Sequence, residues 1–205
     1  MARDEERLER SQETTLVGSL PDAPGILAAI RLTPGLGVHL RGLADELLVN
    51  DFPGTTLVRA EREMLATAVS AANDCFYCMD SHGAFATALL ERSGAHDLVP
   101  LVDTIKLGRS DGVGPKMQAL LHISRTVQRA PRELIEAEVA AAHAAGATDA
   151  DVQLAVLIAA AFSMYNRMVD GFRAQTPPTA EAYRSRAGEI AEHGYSDQRV
   201  TSVPR

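Results

Sequence analysis

The sequence predicts an all-α fold, and three observations support that prediction. Apolar residues recur at helical spacing along most of the chain after Pro21. No stretch of the sequence combines sustained apolar–polar alternation with many β-branched residues, the pattern that is typical of strands. Residues that favour helix ends, chiefly Pro, Gly, Asn and Thr, separate the periodic segments. We therefore expect a bundle of helices.

The first half of this bundle is expected within residues 21–110, after a polar N-terminal arm at residues 1–20. Residues 22–50 predict two short helices that are separated by a Pro-Gly pair. Two longer helices follow at residues 55–73 and 76–94, and the final glycine is expected to form a left-handed helix cap. The two longer helices would form a hairpin.

A second helical half of the same domain is expected at residues 114–192, after the linker "GRSDGVGP". Its first helix covers residues 115–130, and Pro131 is expected to begin the next one. Thr148 is a favourable N-cap for a long apolar core helix. A final amphipathic helix is expected before a polar tail at residues 193–205.

The composition is that of a soluble globular protein. Hydrophobic residues make up 46% of the chain and charged residues 23%, and the formal net charge is -7. An acidic chain without a Lys/Arg cluster does not suit a nucleic acid or an anionic membrane surface. The charged N-terminus lacks the apolar segment of a secretory signal, and the longest apolar run, residues 155–165, is too short to span a bilayer. We expect a cytoplasmic protein with no nucleic-acid or membrane partner.

Both cysteines of the chain lie in the segment "DCFYCMDSH". On a helix, Cys75, Cys78 and His82 would share one face, within about 60° of each other. Asn73 and Asp74 are favourable N-caps, so both thiols would lie in the first turn, where the helix dipole favours a thiolate. The spacing lets the imidazole exchange a proton with Cys78. In a reducing cytosol such a pair is more often redox-active or metal-binding than a permanent disulfide.

Glu63 is expected to face His82 across the predicted hairpin. Glu63 lies about 15 Å before the end of the first helix, and His82 lies about 11 Å into the second. A tight turn near Asn73 would therefore bring the carboxylate and the imidazole to similar heights, with Cys78 one turn away. A carboxylate that polarises a histidine, which in turn serves a thiol, is a common way to activate a nucleophile.

The sequence also allows other interpretations of these residues. Cys75, Cys78 and His82 could supply part of a zinc site, although structural zinc normally takes four protein ligands. The cysteines could also be inert, because a free thiol packs as a small hydrophobic group. Glu63 lies in the charged run "AERE", and such runs usually form a solvated helix face. The redox interpretation is favoured because the histidine and the helix start lie beside the thiols.

Several other polar residues are given no chemical role. Three further histidines lack a cysteine or carboxylate at ligand spacing and are expected to serve packing or the surface: His39, His122 and His143. Asn166, Arg167 and Asp170 interrupt the most apolar helix. Arg167 and Asp170, three residues apart, are expected either to satisfy each other or to cross a subunit interface.

The segment "EREMLATAVSAANDCFYCMDSHGAFA" resembles the core of the alkylhydroperoxidase D and carboxymuconolactone decarboxylase superfamily. The peroxidase branch of that superfamily carries a glutamate twelve residues before a Cys-X-X-Cys-X-X-X-His motif. In this chain the matching positions are Glu63, Cys75, Cys78 and His82. "ATDADVQLAVLIAAAFSMYNRMVDGF" is similar to the long second-half helix of the peroxidase-related members, so the resemblance covers roughly residues 20–175.

The resemblance implies an oligomeric helical bundle, built around the hairpin that bears the cysteine motif, with peroxidase activity and no cofactor or metal. It assigns Cys78 as the thiol that a hydroperoxide oxidises to a sulfenic acid. Cys75 would supply a proton and then resolve the sulfenic acid as a disulfide, with Glu63 and His82 as the proton relay. The expected partners are a hydroperoxide, an external thiol or dithiol reductant, and further copies of the chain in a dimer, trimer or hexamer.

Two features complicate this pattern. Well-known alkylhydroperoxidase D proteins carry a histidine immediately before the second cysteine, whereas this chain has Tyr77. A phenol with an ordinary pKa of about 10 cannot act as a base near neutral pH, but Tyr77 could donate a hydrogen bond to a leaving oxygen. The helix dipole would make Cys75 the more acidic thiol, because Cys75 is nearer the helix start, whereas the resemblance assigns the attacking role to Cys78.

The leading expectation is an oxidoreductase that reduces organic hydroperoxides. The sequence contains no Gly-rich dinucleotide motif and no phosphate loop, so its reductant would be another protein or a small dithiol. A lactone decarboxylase of the same superfamily is an alternative, although that branch lacks the redox pair. A non-catalytic redox switch or partner-binding module is another, and it would change its oligomeric state on oxidation without consuming peroxide.

Overall fold

The computed structural model describes residues 2–179 and 181–196, with side chains from Glu5 onward. This part of the chain is helical and contains no β-strand, so the all-α prediction is confirmed. The α-helices are α1 (Ala2–Ser11), α2 (Ile26–Leu32), α3 (Pro34–Leu48), α4 (Arg59–Ala72), α5 (Phe76–Ser93), α6 (Val99–Lys106), α7 (Pro115–Arg129), α8 (Glu136–Ala144), α9 (Asp149–Gly171) and α10 (Glu181–His193). Two 3-10 turns, His96–Leu98 and Pro131–Glu133, precede α6 and α8.

The antiparallel pair of α4 and α5 forms the centre of the fold. α4 packs against α5, α6, α7 and α9, and α10 lies along α5. The core contains fully buried apolar side chains from α4, α7 and α9, among them Leu65, Leu120, Leu121, Ile123, Leu154, Ile158 and Phe162. Burial of each such side chain contributes about 1.5–3 kcal/mol. These three helices therefore form the stable frame that carries α5.

Most predicted helices are present, and one boundary in the second half differs clearly. The left-handed cap at Gly94 is present with a φ of 79°. α8, however, begins at Glu136 instead of Pro131. The chain is extended at Ile135, and the Glu138 carboxylate accepts a hydrogen bond from the Ile135 N–H at 3.0 Å. This side-chain cap satisfies a free donor at the helix start and moves the boundary along the chain.

The predicted polar arm contains helix α1, which packs against the start of α5. Arg7 Nε forms an ion pair with Asp80 at 2.8 Å, and the Arg10 guanidinium lies 5.0 Å from the centre of the Phe76 ring. The charged side chains of the arm therefore serve contacts with α5. At the other end of the chain, residues 197–205 of the predicted polar tail lie outside the described residues.

The long apolar helix α9 begins as the sequence predicts. The Asp151 N–H donates to Thr148 Oγ1 at 3.1 Å, which is the expected N-cap contact. By length and composition, α9 is the one helix in residues 2–179 and 181–196 that could cross a membrane. Half of its most apolar window is buried against other parts of the protein. α9 is therefore a core helix of the bundle.

The Asp151 carboxylate joins the start of α9 to the loop before α4. It is fully buried and accepts hydrogen bonds from Thr55 Oγ1, Thr56 N and Thr56 Oγ1, each at 2.7 Å. The Thr148 N–H is a fourth donor at 3.0 Å. Burial alone would raise the pKa of Asp151, but the hydrogen bonds outweigh it and hold the pKa well below its ordinary range. Folding therefore stabilises the ionised carboxylate.

We expect Asp151→Asn to lower the free energy of unfolding at pH 7 by about 2–3 kcal/mol, because an amide cannot accept all these hydrogen bonds. The folded-state pKa lies below the unfolded value of about 4, so the stabilisation is complete above that pH and is lost as the pH falls. Urea unfolding should therefore show a smaller difference between wild type and variant at pH 3 than at pH 7.

The matched control for this prediction is Asp149→Asn, because the Asp149 side chain is exposed two residues away on the same helix. This change should alter the free energy of unfolding by less than about 0.5 kcal/mol. An equal effect of Asp151→Asn at both pH values would contradict the electrostatic explanation.

Candidate active site

A tight turn joins α4 to α5 and determines where the two thiols lie. Asn73 follows the end of α4, Asp74 takes a left-handed conformation with a φ of 55°, and Cys75 occupies the N-cap position of α5. The prediction that Asn73 or Asp74 caps α5 is therefore wrong, because both residues are needed to form the turn. Cys78 is the third residue of α5 and lies in its first turn.

A chain of polar side chains fastens this turn to α7 and α9. Asn166 Nδ2 donates to Ser70 Oγ at 3.1 Å, and Asn73 Nδ2 donates to Asn166 Oδ1 at 2.8 Å. Gln128 Nε2 donates to Asn73 Oδ1 at 2.8 Å. Asn166 is buried, and these bonds explain why an amide interrupts the apolar helix α9. The network holds the turn, including its left-handed residue, in one conformation.

The two thiols are free and buried, and they have different surroundings. The adjacent Cys78 sulfur, to which the Cys75 thiol donates a hydrogen bond, raises the pKa of Cys75 well above its ordinary value, and burial raises it further. A lowering of the Cys75 pKa by the helix dipole, which the sequence led us to expect, is therefore not found. Cys75 lies just outside the helix, beside a second sulfur, and it remains protonated.

Glu63, His82 and Tyr195 form a buried hydrogen-bonded cluster. Glu63 is fully buried on α4, and its Oε2 lies 2.7 Å from Nδ1 of His82 on α5. Tyr195 Oη donates to the other carboxylate oxygen, Glu63 Oε1, at 2.6 Å. Burial, followed by the charge of Glu63, raises the pKa of Tyr195 well above its ordinary value, so the phenol remains a donor. The structure thus brings Glu63 and His82 together across the hairpin.

The imidazole of His82 is held in one orientation. Its ring packs edge-to-face against Phe162, with centroids 4.5 Å apart, and against Phe85, with centroids 5.3 Å apart. A carboxylate at Nδ1 selects the tautomer with a proton on that nitrogen, which leaves Nε2 free to accept a proton. His82 lies one helical turn after Cys78, and both residues line the same cavity. The pair can therefore exchange a proton directly or through a water.

The cavity beside Cys78 has a volume of about 60 Å³. Its apolar lining includes Ile26, Leu27, Ile30, Leu40, Phe85 and Phe162. Its polar lining consists of Cys78, Ser81 and His82, the phenols of Tyr77, Tyr165 and Tyr195, and the guanidinium groups of Arg41 and Arg186. A mostly apolar cavity with a few convergent polar groups is typical of a small-molecule site.

Tyr77 lines this cavity, and its ring packs so closely against the backbone at Gly25 that only glycine fits there. A Cβ atom at Gly25 would lie 2.2 Å from the Tyr77 ring, and Gly25 has a φ of 53°, so glycine is required there on both grounds. Arg186 Nη1 donates to Tyr77 Oη at 3.3 Å. Burial raises the pKa of Tyr77 and keeps the phenol neutral. Tyr77 is thus a neutral phenol anchored at the cavity wall.

Arg167 and Asp170 do not pair with each other. Arg167 Nη1 donates to the Ser163 carbonyl at 2.7 Å, whereas the Asp170 carboxylate lies 3.9 Å from Nη1 of Arg10 in α1. Burial raises the pKa of Asp170, and the charge of Arg10 and the adjacent Cys75 thiol oppose that rise. The expected pair is therefore absent because the two side chains have different neighbours, and Asp170 lies beside Cys75.

The charged run "AERE" does not form a solvated helix face. Glu61 Oε2 accepts a hydrogen bond from the Val58 N–H at 3.0 Å at the start of α4. Arg62 is buried and donates to the Asn50 carbonyl at 2.7 Å. Glu63 is fully buried beside His82. Only the tertiary structure reveals this, because the residues that cover α4 are distant in the sequence.

The sequence did not identify Tyr195, which lies in the segment predicted as a polar tail. Arg59 Nη1 donates to the Ala191 carbonyl at 2.8 Å and fixes the end of α10. Asp45 Oδ1 then accepts a hydrogen bond from the Tyr195 N–H at 2.7 Å. These contacts direct the phenol to Glu63. The one feature of the sequence that could have pointed to Tyr195 is that it is an aromatic residue in a polar segment. Tyr195 has no apolar neighbour at helical spacing within that segment, so periodicity did not reveal its place in the site.

The histidines singled out beyond the motif do not line the cavity. His39 is exposed, His122 pairs with Glu138, and His143 Nε2 lies 3.2 Å from Asp149. In the portion of the chain that the structure describes, no group of three or more His, Cys, Asp or Glu side chains is arranged to hold a metal ion.

Residues 40–96 match the sequence model of the carboxymuconolactone decarboxylase family. The matched segment runs from α3 to the end of α5 and includes Glu63, Cys75, Cys78 and His82. A comparison with curated protein sequences finds no match.

Two solved structures share this fold. One is an uncharacterized peroxidase-related protein from Ralstonia eutropha JMP134, described as an alkylhydroperoxidase AhpD core. It is 26% identical with a TM-score of 0.66, and the match covers 81% of this chain and 82% of that chain. The other is an uncharacterized peroxidase-related protein from Silicibacter sp. TM1040, which is 23% identical with a TM-score of 0.67 over 84% of this chain and 95% of that chain. At 23% identity, the similarity to the Silicibacter protein supports a shared fold and nothing further.

The sequence match lies on the helical hairpin that carries the thiols, and the structural matches extend over about four fifths of the chain. The two kinds of similarity agree with the resemblance that the Glu63-to-His82 spacing indicated. Residues 40–96 are thus similar to the carboxymuconolactone decarboxylase family, and the fold is similar to that of a peroxidase-related protein described as an alkylhydroperoxidase AhpD core.

Proposed function

We propose that this protein is a thiol-dependent peroxidase that reduces organic hydroperoxides. The observation that carries the proposal is the buried contact between Glu63 and His82, because His82 lies one helical turn from Cys78 and lines the same cavity. A histidine that a carboxylate orients is suited to activate a neighbouring thiol. The peroxidase-related description of the Ralstonia eutropha protein adds support from a relative of the same fold.

The first step oxidises Cys78. His82 Nε2 takes the Cys78 proton, and the thiolate attacks the terminal oxygen of the hydroperoxide. The O–O bond breaks, the Cys78 sulfur becomes a sulfenic acid, and the alkoxide takes up the proton from His82 and leaves as an alcohol. Sulfur loses two electrons and the peroxide gains them. Glu63 stabilises the imidazolium that forms between the two proton transfers.

The second step forms the disulfide. The Cys75 sulfur attacks the sulfenic sulfur of Cys78, and the hydroxyl group leaves as water with the proton that Cys75 releases. Asp170 is suited to hold this proton in transit, because its carboxyl group lies beside the Cys75 thiol and burial raises its pKa. An external dithiol then returns two electrons and two protons, which restores both thiols.

Cys75 and Cys78 differ in the way that this division of roles requires. A resolving thiol should stay protonated until the sulfenic acid has formed, and the raised pKa of Cys75 meets that condition. The attacking thiol should lie on the substrate cavity, and Cys78 lines the cavity whereas Cys75 does not. A dithiol reductant and a cytoplasmic location are part of the same proposal, since a reducing compartment is needed to regenerate the thiols.

We expect Cys75→Ser to accumulate sulfenic acid on Cys78 after one equivalent of cumene hydroperoxide, because the resolving thiol is absent. Wild type should instead form the Cys75–Cys78 disulfide. Trapping with dimedone followed by peptide mass spectrometry distinguishes the two products. The roles of the two thiols would be reversed if dimedone labelled Cys75 in the Cys78→Ser variant and did not label Cys78 in the Cys75→Ser variant. Oxidation no faster than that of a free thiol in every variant would instead favour the redox switch, provided that oxidation changes the oligomeric state.

We expect Glu63→Gln to slow thiol oxidation about 100-fold or more, because general acid–base groups typically contribute a factor of this size. Tyr195→Phe should slow it about tenfold, because Glu63 keeps its histidine contact but loses one donor. Stopped-flow measurement of thiol loss checks both rates. Glu91→Gln, an exposed glutamate on α5, is the matched control for the first change.

Tyr183→Phe is the control for Tyr195→Phe, because the Tyr183 hydroxyl donates to the Pro177 carbonyl at 3.2 Å and does not contact Glu63. Thermal unfolding of each variant separates loss of structure from loss of the relay. Equal rates for Tyr195→Phe and Tyr183→Phe, with both variants folded, would exclude a role for the Tyr195 hydroxyl.

We also propose that the protein is a homo-oligomer that associates through α9. Leu157, Ala160 and Met164 recur at helical spacing on the exposed side of this helix, and Leu157 and Met164 are each 40% exposed. An apolar stripe on the core helix of a soluble protein is suited to pack against a second copy.

We expect Leu157→Glu to reduce the sedimentation coefficient by dissociating the oligomer, because it would bury an unpaired charge in the interface. Ile135→Glu is the matched control, since Ile135 is 58% exposed and lies outside α9. The sedimentation coefficients of wild type and both variants are measured by sedimentation velocity at several protein concentrations. A wild-type protein that sediments as a monomer would rule out the interface.

A further inference from the structure

We propose that the hydroperoxide substrate carries a carboxylate group, which Arg41 and Arg186 bind at the cavity wall. This inference rests on the proposed peroxidase function, because it identifies the substrate class of the same site. It follows from two cationic side chains that line a mostly apolar cavity and have no acidic partner among the described residues. Neither arginine is needed for the thiol chemistry.

Arg186 lies on α10 and has unused hydrogen-bonding capacity. Its Nη1 donates a hydrogen bond at 3.3 Å to Tyr77 Oη, and this phenol oxygen is a neutral acceptor. Its Nε is buried and has no hydrogen-bond partner within the described part of the chain. A buried guanidinium nitrogen without an acceptor is unfavourable, since the lost hydration is not replaced. An anionic ligand in the cavity would supply the missing acceptor.

Arg41 reaches the cavity from α3 and likewise has no hydrogen bond or ion pair to the residues that the structure describes. The carboxylate at the favourable helical spacing is Asp45, four residues later. Asp45 is already engaged, because its two oxygens accept the N–H groups of Tyr195 at 2.7 Å and Ser196 at 2.9 Å. The Arg41 charge is therefore left for a ligand.

The charge distribution around the cavity favours an anion over a neutral ligand. Among the described residues, no aspartate or glutamate lines the cavity. Glu63, which contacts His82, already has a partner at each of its oxygens. Within the part of the chain that the structure describes, two guanidinium groups thus line a mostly apolar cavity that has no carboxylate in its wall. In such surroundings the attraction between a cation and a ligand anion is stronger than in water.

A carboxylate fits this arrangement because a guanidinium group presents planar N–H donors that match its two oxygens. The apolar walls would hold the hydrocarbon part of the substrate, while its peroxide group lies at Cys78 and His82. The cavity volume of about 60 Å³ suits the reacting end of a small organic acid. Recognition of two groups on one molecule would fix the direction in which the peroxide enters.

The test uses two hydroperoxides that differ only in charge: cumene hydroperoxide bearing a para-carboxylate, and the same compound bearing a para-carboxamide. We expect wild type to react with the carboxylate at a kcat/KM about tenfold higher, a factor typical of a hydrogen bond to a charged group. Arg41→Gln and Arg186→Gln should each reduce this preference, and Arg41→Lys should restore part of it by keeping the charge. Arg132→Gln is the matched control, because Arg132 is exposed and does not line the cavity.

A binding measurement separates this proposal from the peroxidase itself. Isothermal titration calorimetry of Cys78→Ser with the two corresponding alcohols needs no turnover, and it should show the same preference for the carboxylate. Equal affinities for the carboxylate and carboxamide alcohols in the folded protein would overturn the anion site. A preference for the carboxylate alcohol that both arginine variants abolish would support it, even if no peroxide were consumed and the proposed function failed.

Discussion

The buried carboxylate of Glu63 is the constraint on which the rest of the site depends. A fully buried ionised group must be matched by donors, and leaving it unpaired would cost about 3–5 kcal/mol. His82 supplies one donor from α5, and Tyr195 supplies the other from the segment after α10. Three parts of the chain must therefore meet at one point. The contact that stabilises the carboxylate also orients the imidazole, so the structural requirement and the chemical requirement are met by the same atoms.

The turn between α4 and α5 makes two identical side chains different. Cys75 occupies the N-cap position beside the Cys78 sulfur and next to Asp170, whereas Cys78 lies in the first helical turn at the cavity. A shift of one residue in the turn would move both sulfurs to other faces of α5, because successive helical residues are about 100° apart. The amide network through Asn73 and Asn166 holds the register against that shift. The division of labour between the thiols thus depends on polar residues that do not touch them.

The cavity is assembled from segments that are far apart in the chain. α2 and α3 supply much of the apolar wall together with Arg41, α5 supplies the thiol and the histidine, and α10 supplies Arg186. Gly25 leaves room for the Tyr77 ring, because any side chain at this position would collide with it. The hairpin that carries the reactive groups is shared with the family, since the family match covers residues 40–96. The parts of the wall that would select a substrate lie partly outside that segment, at α2 and α10.

The all-α class, most helix positions and the residues of the central motif could be predicted from the sequence, because helical periodicity and the spacing from Glu63 to His82 are local properties of the chain. The long helix α9 and its cap at Thr148 could be predicted too, since an N-cap is a contact between neighbours. The burial of Arg62 and Glu63, the raised pKa of Cys75 and the place of Tyr195 and Arg186 in the site depend instead on long-range packing. Burial, pKa and charge pairing are set by the distant segments that cover a residue, and a single sequence does not record those neighbours.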